Sequence, residues 1–439
     1  MNVAIPHSCC ADRGAARPLS DTDRWGRWFL LASIAVWPVS IGIGFAGAVA
    51  LVTAFSMLAI AVGFFEPRLG MLGFGMALTL DAVNRLYLAK GGFFRFNTLN
   101  YCLIVATLGF LPLLLVRIDV HTRLLLGLTL LLGLGVLISP APELGRQHVL
   151  ALVSVFGIIV CFSRCTSDAR TWLWMGLING ALSAAGGLAL YATKANQGKD
   201  PNIWSYFPLA GLLSACISFP LAREGSKTRA ALGAFAATNA IWVFISGSRG
   251  TFFLAAISLV YLVWNIRGLA LRLSFLAGCC LLIVLASAES EANTFTRLRK
   301  LFDSEYSVAE STSGRSTLFA AGWDVFRKNP LGAGTGAYAV ETAQIAAESF
   351  SAGQPMQAHS AWVKTLAENG VLGTLLLAAY VFSFAATGWR RKQNNALSLG
   401  VYTTALLAAA FIWNEFAGKA VWLVAAASTV LLNPARKSH

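Results

Sequence analysis

The chain reads as an all-α polytopic membrane protein with about 12–14 transmembrane helices. Three observations carry that reading. Of the 439 residues, 56% are hydrophobic and only 12% are charged, where a soluble domain carries about 25% charged residues. Apolar stretches of spanning length recur from Trp28 to Leu432, and mean hydropathy is +0.65. The formal net charge of +14 invites a nucleic-acid partner, but the basic residues fall in short clusters between apolar runs. Topology signals are distributed in that way, so nucleic acid is set aside.

The spans follow in order at about twenty residues each. They cover roughly 28–45, 47–65, 69–89, 97–116, 124–139, 148–163, 171–191 and 204–222, then 229–246, 250–266, 271–288, 360–386, 396–413 and 418–433. The first two come from one nearly continuous apolar run, split because Pro38 and the glycines at 42, 44 and 47 interrupt it. The organisation is then a tail over 1–27, a first bundle over 28–288, one long loop over 289–358, further helices over 359–433 and a second tail over 434–439. The tail Met1–Arg27 lacks the small-residue cleavage pattern that follows a signal-peptide core. It reads as a retained cytoplasmic segment.

Charge tests the span count. With the N-terminus inside, nineteen basic residues fall on inner segments, among them Arg223, Lys227, Arg229, Arg267 and Arg272. The short outer loops hold seven: Lys90, Arg95, Arg146, Lys194, Lys199, Arg249 and Lys419. That bias puts both termini in the cytoplasm and makes the few outer arginines exceptions. The segment Glu289–Ala358 becomes a single outer loop, far longer than an ordinary connector. Within it "STLFAAGWDVFRK", Ser316 to Lys328, is helical, with Leu318, Phe319, Gly322, Trp323 and Phe326 as its apolar positions and Asn329–Pro330 as its stop. "LGAGTGAY" then reads as a flexible Gly-rich turn. It follows no strand and is no dinucleotide fingerprint.

Eight cysteines are present, none between Glu289 and Gln357, and no Cys/His metal spacing occurs. A zinc site is not expected. Cys9–Cys10 reads as two free thiols.

Arg249 lies in "SGSRGTFF", Ser246 to Phe253, between two apolar runs at the outer face. An arginine at a membrane costs free energy and marks function by default, the competing reading being an anchor that snorkels to the headgroups. Gly247, Gly250, Ser246 and Ser248 favour function, since they allow close backbone approach and offer donors, as an anion-binding helix N-terminus does. Arg315, in "TSGRSTLF", repeats the theme ahead of the loop helix, which Ser316 can cap. Guanidinium forks suit phosphate oxygens, so the two outer arginines suggest a pyrophosphate. Arg297, Arg299 and Lys300, in "TRLRKLFD", fit a solvated basic face as well as a binding role.

His359 stands at the first turn of the helix that closes the loop. The positive helix end favours neutral imidazole, the form a general base needs; a polar interfacial residue is the plain alternative. In "AENG", Lys364 and Glu368 stand at i and i+4, a spacing that suits an intrahelical pair. Asp200, Pro201 and Asn202 form a turn and cap. Asp81, Asn84 and Arg85 share one side of the third span.

With these residues in place, the chain resembles the O-antigen ligase and polymerase superfamily of bacterial envelope membrane enzymes. The resemblance rests on "DPN" at Asp200–Asn202, "GSRG" at Gly247–Gly250, "SGR" at Ser313–Arg315, "NPLGAGTGAY" at Asn329–Tyr338 and "HSAWVKTLAENGVLG" at His359–Gly373, in that order around one large outer loop. Ser360 departs from the asparagine that commonly follows the histidine. About fourteen spans exceeds the family's usual twelve or so. The resemblance implies a GT-C-like membrane glycosyltransferase of the bacterial inner membrane, metal-independent and without a cofactor, with its active site in the periplasm. It implies an undecaprenyl-pyrophosphate-linked glycan as donor and a sugar hydroxyl as acceptor, either on lipid A–core or on a lipid-linked repeat unit. Arg249 and Arg315 would hold the pyrophosphate and His359 would activate the acceptor, with Ser248, Arg146, Asp200, Asn202, Arg297, Arg299 and Lys300 as substrate-binding candidates.

A lipid-linked oligosaccharide flippase, a protein O-oligosaccharyltransferase and a non-catalytic envelope scaffold are the competing readings. Transporters usually show repeat symmetry and broken helices near the midplane, whereas here the polar candidates gather at one face. Reporter fusions near Ser313 and Gly198 are expected to report the outer compartment, and fusions near Lys227 and Lys392 the cytoplasm. A cytoplasmic signal at Ser313 would remove the lipid-pyrophosphate reading altogether.

Overall fold

The computed structural model describes residues 21–62, 66–87, 119–165, 169–194, 201–288, 315–343, 358–413 and 419–432. The expected span over 97–116, the cysteine pair Cys9–Cys10, Asp200, the cluster Arg297, Arg299 and Lys300, and most of both tails lie outside the described residues, as do the side chains of Asn84 and Arg85. The described helices are α1 Asp21–Val62, α2 Pro67–Tyr87, α3 Val120–Leu137, α4 Pro142–Cys165 and α5 Ala169–Ala192. Then come the short α6 Pro201–Trp204, α7 Tyr206–Ser218 with a 3-10 turn Phe219–Leu221, α8 Lys227–Ile245, α9 Arg249–Trp264 and α10 Leu269–Ala288. α11 Arg315–Lys328, α12 Ala337–Glu341, α13 Ala361–Arg390, α14 Asn394–Trp413 and α15 Lys419–Leu431 complete the order. Among the described residues no strand occurs. The protein is an all-α polytopic membrane protein. Seven described segments are long and apolar enough to cross a bilayer, and Arg249–Trp264, Leu269–Gly278 and Ala420–Leu431 are shorter apolar helices.

The split of the first apolar run falls where a glycine permits it. α1 is broken at Gly44, whose φ of 75° and ψ of 160° are not helical, while Pro38 is carried inside the helix. Of the four interruptions only Gly44 adopts a positive φ, a conformation open to it because it carries no Cβ.

α7 is the centre of the bundle. It packs against α2, α5, α8, α9 and α15, and every residue from Phe207 to Ser218 is buried. Lipid and Leu are equally apolar, so helices in a membrane associate through close packing and hydrogen bonds instead. α5 and α7 show both. A Cβ on Gly176 would stand 2.3 Å from Ser218 Oγ, and one on Gly211 would stand 2.6 Å from Ser183 Cβ. Ser218 Oγ donates to the Trp172 carbonyl at 2.7 Å, Asn179 Nδ2 to Ser214 Oγ at 3.1 Å, and Ser183 Oγ to the Phe207 carbonyl at 3.1 Å. Asn239 on α8 joins the same seam, donating to the Gly180 carbonyl at 3.0 Å.

The loop helix α11 begins one residue earlier than expected, at Arg315, so Ser316 lies inside the first turn and does not cap it. Its buried face is Leu318, Ala321, Gly322 and Val325. Phe326 is half-buried and Trp323 is 52% exposed, which corrects the expected apolar stripe. The small residues Ala321 and Gly322 are what let α11 approach α13: a Cβ on Gly322 would lie 2.4 Å from Val363 Cγ1.

Candidate functional site

The segment after α11 overturns one expectation. "NPLGAGTGAY" is not a flexible turn. It is a backbone wedge seated in a break of α13. Inside α13, Gly370 has φ 61° and ψ −155°, so the helix is interrupted there. Such an interruption leaves carbonyl and amide groups without helical partners, and the wedge supplies them. Ala333 N–H donates to the Ala367 carbonyl at 3.1 Å and Gly334 N–H to the Glu368 carbonyl at 2.9 Å, while Val371 N–H, beyond the break, donates to the Pro330 carbonyl at 3.2 Å. On its other flank Thr335 N–H donates to the Gly135 carbonyl at 3.0 Å. The Thr335 hydroxyl faces both the Leu132 carbonyl at 2.7 Å and Asn369 Oδ1 at 3.1 Å.

Glycine is required by this fit. Gly332, Gly334 and Gly336 have φ of 105°, 101° and 99°, and a Cβ on Gly332 would lie 2.5 Å from the Glu368 carbonyl oxygen. The receiving helices reciprocate: a Cβ on Gly145 of α4 would lie 2.2 Å from the Thr335 carbonyl oxygen, and one on Gly135 of α3 would lie 2.4 Å from Thr335 Oγ1. The wedge thus locks α3, α4 and α13 together at one end of the bundle.

Buried polar groups extend the lock. Glu368, 3% exposed, accepts the Tyr338 N–H at 3.3 Å, and the Tyr338 hydroxyl donates to the Leu318 carbonyl of α11 at 2.7 Å. Lys364, 6% exposed, places Nζ 2.5 Å from His148 Nε2 on α4. These two residues therefore reach outward from α13 as well as standing at i and i+4 on it. Leu318 is one turn along α11 from Arg315, so the chain Glu368–Tyr338–Leu318 sets the position of that arginine's helix.

Arg315 is the first residue of α11 and is half-buried. Burial lowers its guanidinium pKa from the ordinary value, and the nearby Tyr206 phenol acts in the opposite direction. Tyr206 begins α7, one turn after Asn202. Asn202 in turn accepts the Ser248 hydroxyl on Oδ1 at 3.1 Å, and Ser248 is the N-cap of α9, whose first residue is Arg249. The Ser248 side chain makes no cap bond to its own helix. The turn before it is tight, with Gly247 at φ 75° and Ser248 N–H donating to Ser246 Oγ at 3.2 Å. The start of α9 is thus tied to Asn202, and Arg315 at the start of α11 lies within electrostatic reach of Tyr206, four residues further on.

His359 does not lie in a first helical turn. Ser360 is the N-cap of α13, accepting the Val363 N–H at 3.4 Å and donating to the Phe411 carbonyl of α14 at 3.0 Å. The histidine precedes it, exposed, with φ 50°. A β-carbon-bearing residue in the left-handed region is uncommon, and among the described residues His359 shares it only with Lys194 and Lys392. Buried Ala358 and Ser360 flank His359. Arg146 donates to Glu143 at 2.9 Å on the surface of α4; an exposed pair of this kind contributes little stability. Asp81 is buried in α2. Pro201 opens α6 as a helical residue rather than a plain turn.

Sequence reasoning passed over Tyr206, Tyr338, His148, Thr335 and Asn369. Tyr206 had a signal, since it stands four residues after Asn202 and so shares its face on a helix. The others engage partners through space that no local spacing encodes.

Residues 234–378 match the O-antigen ligase family model. That third of the chain is similar to the O-antigen ligase family, in line with the superfamily its motifs resemble. The matched segment runs from α8 into α13 and contains Arg249, Arg315, the wedge, His359 and the Gly370 break; Asn202 and Tyr206 precede it. No curated protein matches the chain.

The wedge makes a stability prediction. Gly370→Ala places a side chain at positive φ with its Cβ 2.3 Å from the Pro330 carbonyl oxygen, and is expected to cost about 2 kcal/mol or more. Gly127→Ala on α3, where nothing lies within 4 Å of the added carbon, is expected to be neutral or slightly stabilising. Thermal unfolding of the purified protein in detergent compares the two, and equal melting temperatures would show that the wedge is not seated.

Proposed function

We propose that the protein is a metal-independent glycosyltransferase that moves a glycan from an undecaprenyl-pyrophosphate carrier to a sugar hydroxyl at the periplasmic face of the bacterial inner membrane. The observation that carries this reading is that Arg249 and Arg315 each open a helix, the first fixed to Asn202 through Ser248 and the second on the helix that the wedge and Tyr338 hold against α13. Two guanidinium groups held at helix N-termini favour a doubly charged phosphate ligand. A cation whose charged form is disfavoured by burial is relieved when an anion binds beside it. Among the described residues no group of three or more His, Cys, Asp or Glu offers a metal site.

In the step itself, the acceptor oxygen attacks the anomeric carbon of the donor sugar. The bond from that carbon to the pyrophosphate oxygen breaks, and the electron pair leaves on the lipid pyrophosphate. Arg249 and Arg315 stabilise the charge that develops there. His359 takes the hydroxyl proton. One displacement inverts the anomeric centre. Lipid A–core and a second lipid-linked repeat unit both present the hydroxyl this chemistry needs, and a transporter reading leaves His359 and its left-handed backbone without a role.

The test is transfer in vitro from purified lipid-linked donor to acceptor, with and without chelator. Arg249→Ala and Arg315→Ala are expected to abolish transfer at normal protein levels, and the lysine variants to recover little, because a point charge does not reproduce a planar two-oxygen fork. His359→Ala is expected to lose about 10²–10⁴-fold in rate while retaining donor binding. The wild-type rate should fall on acidification as the base becomes protonated, and His359→Gln should lack that limb. Full activity in the alanine variants, or an unchanged pH profile in His359→Gln, contradicts the proposal.

A further inference from the structure

We infer that the end of the bundle opposite the candidate site binds one anionic phospholipid, with its phosphate at a basic rim and an acyl chain in the groove between α8, α9 and α10. This inference does not depend on the proposed reaction. Arg249 opens α9 at the site end, so Trp264, at the other end of the same helix, marks the opposite end of the bundle. There a cavity of about 520 Å³ lies among Ala230, Gly233, Ala234, Leu262, Leu271 and Phe275. Its walls are apolar, and its size is that of a small-molecule site.

Its surroundings point to lipid. Trp264 is 70% exposed, as are Leu269 at 70%, Leu271 at 60% and Leu273 at 56%. In a membrane protein an exposed tryptophan beside exposed leucines marks the headgroup level and the hydrocarbon next to it. The groove therefore opens where acyl chains and phosphates meet.

Charge selects among lipids. The mouth carries Arg229 and Arg267, flanked by Arg223, Lys227 and Arg272, against one carboxylate, Glu224. Arg229 is fixed at the neck: Nη2 donates to the Asn265 carbonyl at 2.5 Å, and the guanidinium carbon sits 4.5 Å over the Phe219 ring. Arg272 Nε donates to the Ile266 carbonyl at 2.7 Å. Glu224 lies 2.7 Å from Arg267 Nε and 3.7 Å from Arg229 Nη1, so one carboxylate is shared between two cations and the rim retains net positive charge. The Arg267 side chain is 83% exposed, and an exposed pair of this kind yields readily to a stronger anion. A phosphodiester without a compensating amine fits this rim better than a zwitterionic headgroup.

The test is native mass spectrometry of the purified full chain titrated with phosphatidylglycerol and with phosphatidylethanolamine of the same acyl chains. Wild type is expected to bind a first phosphatidylglycerol at least roughly fivefold more tightly, the increment one basic residue contributes near an anionic headgroup. Gly233→Leu fills the groove with little strain, since a Cβ there meets only Phe219 Cε2, at 3.6 Å; this variant is expected to lose the first lipid. Arg267→Gln, on an exposed side chain, is expected to weaken phosphatidylglycerol roughly fivefold and leave phosphatidylethanolamine unchanged, and it carries the test should Gly233→Leu not fold. Equal binding of the two lipids, no binding of either, or unchanged occupancy in the variants overturns the inference.

Discussion

The rest of the structure depends on how α13 is interrupted. A break in a membrane helix leaves backbone groups that hydrocarbon cannot satisfy, and non-helical backbone survives at such a place only when protein covers it. Here Gly370 makes the break, and the segment Pro330–Gly336 covers it with its own amides and carbonyls. Because that segment follows α11 directly, satisfying the break also fixes the loop helix that carries Arg315. The route continues through Glu368 and Tyr338 to Leu318. One backbone requirement thus positions a side chain at the far end of the loop.

The same logic governs the start of α9. α7 is buried along its length, and its N-terminal neighbour Asn202 meets Ser248 at the start of α9. Neither arginine is held by its own helix alone. Each depends on a segment distant in sequence, the kind of support that the proposed anion site would need before its ligand arrives. The His359 backbone is left-handed just before α13, between buried Ala358 and the N-cap Ser360.

Much of this was legible in the sequence, and the physical reasons separate what was from what was not. Span positions were legible because hydrocarbon thickness dictates the length of every apolar run, and each described helix of α1–α5, α7–α10 and α13–α15 falls on an expected span. The loop helix was legible from its apolar spacing and its Asn329–Pro330 stop. Its buried face was misread, because the spacing offers Trp323 and Ala321 alike and only the close approach of α13 selects the small residue. The Gly-rich segment was misread for a related reason. Glycines allow a flexible turn and a tightly seated wedge equally well, and the choice lies with Gly135, Gly145 and Gly370, two of them some 190–200 residues away in the chain. His359 is singled out in the sequence by residue type alone, and its left-handed backbone is a product of the fold that leaves no mark there.

Amide hydrogen exchange of Ala333, Gly334 and Thr335 in the purified protein tests the central claim most directly. These three amides are bonded to carbonyls of α13 and α3 inside the bundle, so protection comparable to that of the α7 core is expected. Exchange as fast as an exposed surface loop would contradict the account, because a mobile segment could neither complete α13 nor fix the helix of Arg315.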